Sequence, residues 1–265
     1  MELTWHVVGA SVQGTSHHKK ATPCQDAHGY RVLPSGVALV AVADGAGSAE
    51  RSDEGAQCVV EQALNSLEEG LIDGVPEDDA TWEALLAGAF REARQAVVEL
   101  DGNAPLRAFA TTLTCAVVSD GWLAVGQIGD GIVVACREGG ELFAATSPQH
   151  GEYANETFFL TMDGVLRQVD FCAYARSVTA LAVLTDGLIR LAMNLATNEP
   201  HAPFFQPLLA FAAQLEDEQE GQEQLVALLA SQRVNDRTDD DKTLVLAARP
   251  QAVESGTIPN EVVDG

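Results

Sequence analysis

Two aspartates stand at the carboxyl ends of apolar runs, where a fold can aim a carboxylate at a fixed point. Asp44 ends the run VALVAVA before the small-residue loop GAGS, and Asp186 ends LAVLT before the helix-like LIRLA. Asp-Gly occurs eight times in the chain and usually marks a turn. A buried strand that delivers an aspartate into irregular backbone is more typical of a rigid site. We therefore interpret Asp44 and Asp186 as candidate site residues.

Three other acidic positions are less clear. Asp120 follows the apolar run TCAVVS, and another strand-like run begins at once, so a hairpin turn is expected there. Asp130 is ambiguous by the same test, because GIVVAC after it also resembles a strand. The acidic triplet 239–241 precedes the apolar LVLAA. Such a triplet is usually a solvated turn, but a bound cation would relieve the repulsion among three adjacent carboxylates.

The types of these side chains indicate which ion they would bind. Carboxylates without a cysteine or histidine ligand pattern favour a hard cation, so Mg²⁺ or Mn²⁺ is expected rather than Zn²⁺. Several carboxylates at one place suit two ions, and a two-metal site can clamp an in-line phosphoryl displacement. The sequence contains no P-loop and no GxGxxG, GxSxG or HExxH pattern, which removes the commonest nucleotide-binding and hydrolase alternatives.

The elements that must position the acids follow from hydrophobic periodicity. Strand-like runs lie at 3–12, 37–43, 112–118, 122–128, 132–136, 178–184 and 243–248, and Gln25-Asp26 precedes a further strand-like stretch. Apolar residues at helical spacing predict helices over 56–67 and 82–97, with two more at about 203–214 and 219–232. This order is not a βαβα alternation, so we expect an α+β fold in which helices cover antiparallel sheets.

Composition limits the classes of protein. The chain has 265 residues, a formal net charge of −24 and 46% hydrophobic residues, which suits one globular domain over 1–250 with a loose tail over 251–265. The negative charge argues against nucleic acid or an anionic membrane as a partner. The chain has five scattered cysteines without a CxxC pair, and we find neither a signal sequence nor a long apolar run. These features predict a cytoplasmic protein.

Six segments follow one another within about residues 9–248: GTSHHKKATPCQDAH, VALVAVADGAGSAERSDEGA, ATTLTCAVV, VGQIGDG, AVLTDGL and DDDKTLVLA. In this order they resemble the metal-dependent protein serine/threonine phosphatases of type 2C, the PPM family, and most closely its compact bacterial branch. The resemblance implies a four-layer αββα sandwich, two antiparallel sheets flanked by helices on both sides. It also implies hydrolysis of phosphoserine and phosphothreonine by direct attack of metal-activated water. The implied cofactors are two Mn²⁺ or Mg²⁺ ions with a third, weaker one, and the implied partners are phosphorylated proteins and a Ser/Thr kinase or its targets.

The resemblance also implies roles for individual residues. Asp44 would bridge the two metals and Gly45 would lend its carbonyl oxygen. Asp186 and Asp240 would complete the pair from the other side, Asp240 being chosen because the family places its metal aspartate three residues before a threonine, here Thr243.

Two further acids receive outer roles by the same resemblance. Asp130 would help to hold the third metal, together with the aspartate of the TDG segment, and Asp26 would reach the cluster through water. Asp241 stands where relatives often have asparagine.

The sequence departs from the family pattern at two places. The family usually has an arginine for the substrate phosphate where this chain has His17, with Lys19 or Lys20 as other sources of charge. Eukaryotic relatives carry a histidine where this chain has Ala46, so the leaving-group acid would be water or His17. We predict that His17 is a phosphate contact or an acid; a solvated loop is the alternative for this segment.

Two other functions stay open at this point. A pseudophosphatase that acts as a regulatory binding module would keep the fold and lose turnover, which the missing arginine would favour. A metal-dependent hydrolase of another phosphoester would keep the same acids.

Overall fold

The computed structural model of the chain describes residues 5–149, 157–194 and 196–250. Its strands are β1 His6–Val12, β2 Asp26–Val32, β3 Ala38–Asp44, β4 Leu113–Val118, β5 Leu123–Ile128, β6 Ile132–Arg137, β7 Leu142–Ala144, β8 Asp170–Tyr174, β9 Val178–Leu184, β10 Met193–Asn194, β11 Glu199–Pro200 and β12 Lys242–Ala248. Its α-helices are α1 Thr15–Lys20, α2 Ser52–Gly70, α3 Asp79–Leu100, α4 Ile189–Ala192, α5 Ala202–Ala213, α6 Glu218–Leu229 and α7 Gln232–Asn235. The predicted tail over 251–265 lies outside the described residues.

Two five-stranded antiparallel sheets form the centre of the described chain. One has the order β1-β12-β9-β6-β7 and the other β2-β3-β4-β5-β8. Helices α2 and α3 cover the second sheet, and α5 and α6 cover the first. The predicted four-layer αββα sandwich of antiparallel sheets is therefore confirmed.

Strand β3 illustrates why the inner strands are mostly apolar on both faces. Leu39 and Ala41 belong to the core beneath α2 and α3, whereas Val40 and Val42 belong to the core between the two sheets. Successive side chains of a strand point to opposite faces, so a strand with helices on one side and a sheet on the other needs apolar residues at every position. The run VALVAVA satisfies this requirement.

The predicted helices and strands agree closely with the structure. The two long amphipathic segments are α2 and α3, and Asp78 caps α3 by accepting a hydrogen bond from the Thr81 amide. The strand-like runs match β1, β3, β4, β5, β6, β9 and β12. The short helices α1 and α7 and the short strands β7, β8, β10 and β11 were not predicted. Among the described residues, no helix is both long and apolar enough to cross a bilayer.

The Asp-Gly pairs at Asp120 and Asp130 have different surroundings. Asp120 lies in the β4–β5 hairpin, where the Ser119 amide donates to the Trp122 carbonyl oxygen at 2.9 Å, as predicted. Asp130 lies between β5 and β6, which belong to different sheets. The Asp130 segment is therefore a crossing from one sheet to the other and not a hairpin turn.

Candidate metal centre

Three carboxylates converge at one end of the β-sandwich, where strands of both sheets terminate. One oxygen from each of Asp44, Asp130 and Asp186 lies within 4.8 Å of the others. Asp44 ends β3 in one sheet, Asp186 follows β9 in the other, and Asp130 lies on the crossing between the sheets. The sandwich thus brings together three acids that are widely separated in sequence.

The main chain of Asp44 is fixed by two threonines that precede β4. The Asp44 amide donates to Thr112 Oγ1 at 2.9 Å, and the Thr112 amide donates to the Asp44 carbonyl oxygen at 2.9 Å. Thr111 Oγ1 donates to the same carbonyl oxygen at 3.0 Å. These bonds continue the β3–β4 ladder past its regular end and hold the bend after Asp44.

Gly45 occupies a place that no other residue fits. A Cβ atom there would lie 2.7 Å from the Gln25 carbonyl oxygen and 2.8 Å from Ser52 Cβ. The Gly45 amide donates to the same Gln25 oxygen at 3.1 Å. The backbone beside Asp44 is consequently packed tightly against the segment that leads into β2.

Asp26 lies directly beside Asp44 in the β2–β3 register. Its Oδ2 accepts hydrogen bonds from Thr185 Oγ1 and Thr243 Oγ1, both at 2.8 Å, so a β2 carboxylate is bound to the opposite sheet. Burial raises the pKa of Asp26 to about 7, although both hydroxyl groups favour its charged form. Asp26 therefore links the two sheets beside Asp44, in the interior of the sandwich.

Asp186 begins a short 3-10 turn, Asp186–Leu188, at the end of β9. A Cβ atom on Gly187 would lie 1.9 Å from the Asp241 carbonyl oxygen, so this turn touches the loop before β12. Burial, followed by the charges of Asp130 and Asp240, raises the pKa of Asp186 to about 7.

Asp240 lies at the rim of the cluster. Its side chain is 55% exposed, and its Oδ1 accepts a hydrogen bond from the Asp241 amide at 2.9 Å. It is not one of the three residues whose oxygens converge. Its charge nevertheless acts on both Asp44 and Asp186, so it belongs to the same electrostatic site.

Asp241, the next residue, is buried and engaged by the protein itself. Its Oδ1 accepts from the Gly14 amide at 2.6 Å, and its Oδ2 accepts from the Gln25 amide at 2.6 Å. His17 Nδ1 lies 2.8 Å from the same Oδ2. Because both carboxylate oxygens are already hydrogen-bonded, Asp241 anchors the loop and leaves Asp240 as the outward-facing acid.

The structure places His17 in helix α1 with only 8% of the residue exposed, so the alternative of a solvated loop is wrong. Its Nε2 lies 4.0 Å from Asp240 Oδ1. Lys19 and Lys20 are exposed at the end of the same helix. Of the cationic candidates for this position, His17 is therefore the one that contacts the acidic site.

Sequence reasoning missed Lys242, which is fully buried at the start of β12. Its Nζ donates to Asn235 Oδ1 at 3.0 Å and to the Asp240 carbonyl oxygen at 3.3 Å. Lys242 thus holds the main chain of Asp240 and places one positive charge behind the acids. A lysine between an acidic triplet and an apolar strand was the available signal.

The electrostatics of the cluster favour a cation. Burial raises the pKa of Asp44 well above its ordinary range. The neighbouring charges that raise it further are all carboxylates, those of Asp26, Asp186, Asp130 and Asp240. Bringing these charges together without a cation is costly. Oxygen donors of this kind fit Mg²⁺ or Mn²⁺, so the residues present suit a hard divalent ion.

Comparisons with known proteins agree with this geometry. The family described as Protein phosphatase 2C matches residues 13–230. Serine/threonine-protein phosphatase 3 of Escherichia coli (strain K12) is 35% identical over 252 residues, which cover 92% of this chain and 98% of that protein.

Solved structures share the fold at low sequence identity. The crystal structure of a bacterial serine phosphatase aligns with a TM-score of 0.65 at 16% identity, covering 93% of this chain and 99% of that one. The catalytic domain of the serine threonine protein phosphatase PstP, solved with 2 manganese ions, aligns with a TM-score of 0.58 at 18% identity, covering 93% of this chain and 99% of that one.

Proposed function

The chain belongs to the protein phosphatase 2C family, and from this premise we propose that it hydrolyses phosphoserine and phosphothreonine in proteins. The observation that carries the proposal is the convergence of Asp44, Asp130 and Asp186, whose carboxylate oxygens lie within 4.8 Å of one another at the end of the sandwich where strands of both sheets terminate. The raised pKa values of Asp44 and Asp186 support it, because such acids gain most from a bound cation.

We assign the ion-binding roles as follows. Asp44 would hold both of two Mn²⁺ or Mg²⁺ ions with help from the Gly45 carbonyl oxygen, and Asp186 and Asp240 would complete the set of ligands. Asp130 would contribute to a third, weaker ion, and the buried Asp26 would act through water. The tight packing of Gly45 and the anchoring of the loop by Asp241 support these roles, because both limit the movement of the ligands.

Bound ions of this type lower the pKa of water and polarise phosphate oxygens, which allows direct hydrolysis without a covalent phosphoenzyme. The chain contributes a rigid frame for the phosphate. Asp241 orients the ring of His17 through Nδ1, so that Nε2 faces the rim beside Asp240. We assign to His17 the contact with the substrate phosphate or the transfer of a proton to the leaving group.

The substrates in this proposal are phosphorylated proteins, and the implied counterpart is a Ser/Thr kinase or its targets. The net charge of −24 opposes the approach of a phosphoprotein, but salt screens this repulsion beyond about 8 Å. The described cysteines are all free, which fits our proposal of a cytoplasmic location.

A second candidate is a pseudophosphatase that binds phosphoproteins without turnover. The observation that favours it is His17 at the position where the family usually has an arginine for the phosphate. An imidazole cannot reproduce the two parallel hydrogen bonds of a guanidinium group.

A substrate panel tests the proposed function. Phosphoserine and phosphothreonine peptides, small phosphate esters and nucleotides are incubated with the protein and Mn²⁺, and released phosphate is measured. We expect turnover of the phosphopeptides and of simple aryl phosphates, with nucleotides much slower. Binding of phosphopeptides without turnover would support the pseudophosphatase, and a preference for nucleotides would indicate another phosphoester hydrolase.

A further inference from the structure

A pocket of about 410 Å³ opens beside the loop that follows Asp44. Three segments line it: the first wall consists of residues 46–50 after β3, the second of residues 105–110 before β4, and the third of residues 159–162. Pockets of this size accommodate small ligands or a few side chains. None of the roles assigned to the metal centre uses its lining.

The walls of the pocket are fastened to the backbone that holds Asp44. The Ala46 amide donates to the Ala110 carbonyl oxygen at 2.9 Å, which joins the first wall to the second. The Leu160 amide donates to the carbonyl oxygen of Thr111, the residue after the second wall, at 2.8 Å, which joins the third wall to the same stretch of backbone. Thr111 in turn bonds the Asp44 carbonyl oxygen. The pocket therefore has a fixed position relative to the metal centre.

The pocket also lies within reach of a peptide bound at the acids. Ala46 is two residues beyond Asp44, so their Cα atoms are at most about 7.6 Å apart. An extended chain advances about 3.3 Å per residue. A residue two or three positions from a phosphoserine at the metal centre is therefore close enough to reach the pocket.

The lining combines an apolar surface with one cation. Pro105, Phe159 and Met162 contribute apolar surface, and Arg107 is an exposed cation on the second wall. Among the ion pairs formed between described residues, none involves Arg107. By contrast, Arg51, whose amide donates to the Ala108 carbonyl oxygen on this wall, forms ion pairs with Glu54 and Asp101. Arg107 thus offers its guanidinium group to a ligand.

We propose that this pocket binds the substrate polypeptide beside the phosphorylated residue, with an apolar side chain against Phe159 and Met162 and an acidic side chain on Arg107. The inference rests on the proposed function. A guanidinium group pairs well with a carboxylate, and in a chain of net charge −24 it gives an acidic substrate a local attractive contact. The carboxylate of Glu50 on the first wall opposes this attraction, so removal of its charge should strengthen the preference for an acidic substrate residue.

Charge reversal on both partners tests the pocket. Phosphoserine peptides carry Glu, Ala or Lys at each of the three positions on either side of the phosphoserine, and kcat/KM is measured for the wild-type protein, Arg107→Glu and Glu50→Gln. Arg91→Glu is the matched control, because Arg91 is exposed on α3, outside the lining, and changes the net charge equally. p-Nitrophenyl phosphate, which is too small to span both sites, reports on the metal centre alone.

We expect the wild-type protein to favour Glu over Lys by about fivefold on one side of the phosphoserine, as for a partly exposed ion pair. Arg107→Glu should reverse this preference, Glu50→Gln should enlarge it, and Arg91→Glu should leave it unchanged. All variants should hydrolyse p-nitrophenyl phosphate at the wild-type rate.

The outcomes separate the two proposals. Normal hydrolysis of p-nitrophenyl phosphate, together with a peptide preference that Arg107→Glu does not alter, would overturn the pocket and leave the proposed function intact. Absence of hydrolysis of both the small ester and the peptides by the folded wild-type protein would overturn both.

Discussion

His17 and Asp241 are separated by 224 positions in the chain, yet His17 Nδ1 lies 2.8 Å from Asp241 Oδ2. The contact is buried, and the Asp241 carboxylate also accepts hydrogen bonds from the backbone amides of Gly14 and Gln25. One side chain therefore ties the start of α1, the entry to β2 and the loop before β12 to each other. The same contact directs the other nitrogen of His17 towards Asp240.

Asp241→Ala should destabilise the protein strongly. The change leaves the Gly14 and Gln25 amides and the His17 ring without their acceptor in a buried place, so we expect a loss of about 3 kcal/mol or more in the free energy of unfolding. Urea denaturation measures it. Asp239→Ala, two residues earlier and exposed, is the control and should change stability by less than about 0.5 kcal/mol. Equal stability of the two variants would contradict the anchoring role of Asp241.

His17→Ala should raise KM for a phosphopeptide by about tenfold, because a contact with the substrate phosphate is worth about 1.4 kcal/mol or more. Steady-state kinetics at saturating Mn²⁺ measures it. His18→Ala is the matched control, since His18 is exposed in the same helix. An unchanged KM in a folded His17→Ala protein would reduce His17 to a packing residue.

Gly187→Ala should impair both stability and metal binding. The new methyl group would lie 1.9 Å from the Asp241 carbonyl oxygen, so either the turn that carries Asp186 or the loop that carries Asp240 must move. Isothermal titration with Mn²⁺ and thermal denaturation measure the two effects. In the control Gly88→Ala, the methyl group meets no atom within 4 Å on helix α3, and we expect a gain of about 0.5–1 kcal/mol. Wild-type Mn²⁺ affinity in Gly187→Ala would contradict the close packing of the two loops.

The metal-free protein should lose stability as the pH rises. The pKa values of Asp26 and Asp186 are raised from 3.8 to about 7 in the folded state. The folded state therefore binds more protons than the unfolded state between about pH 4 and pH 7, and this stabilisation is lost as the pH rises through the folded pKa. With EDTA present, Tm should fall between pH 5.5 and pH 8, and Mn²⁺ should restore it at pH 8. A metal-free Tm that rises over this range would contradict the clustering of the acids.

The strands that deliver Asp44 and Asp186 were predictable because both are buried on two faces and therefore apolar at nearly every position. The surroundings of Asp130 could not be predicted. A turn within one sheet and a crossing between two sheets show the same local pattern, in which a strand is followed by Asp-Gly and another strand. The burial of His17 was also unpredictable, since its partner Asp241 lies at the other end of the chain.

Local patterns likewise did not distinguish between Asp240 and Asp241. The resemblance assigned the metal role to Asp240, and the structure provides the physical reason, because the oxygens of Asp241 are already occupied by amide and ring donors. The hydrogen bond from buried Lys242 to Asn235 depends on the position of α7, which the sequence alone did not provide.

The central claim is that Asp44 holds the ions that hydrolyse the phosphoester. Its most direct test is p-nitrophenyl phosphate hydrolysis with Mn²⁺, with EDTA, and by Asp44→Asn, using Asp120→Asn in the exposed β4–β5 hairpin as the matched Asp-Gly control. We predict activity in Mn²⁺, none in EDTA, a loss of at least about a hundredfold in kcat/KM for Asp44→Asn and wild-type activity for Asp120→Asn. Activity that survives both chelation and the Asp44→Asn change would contradict the account.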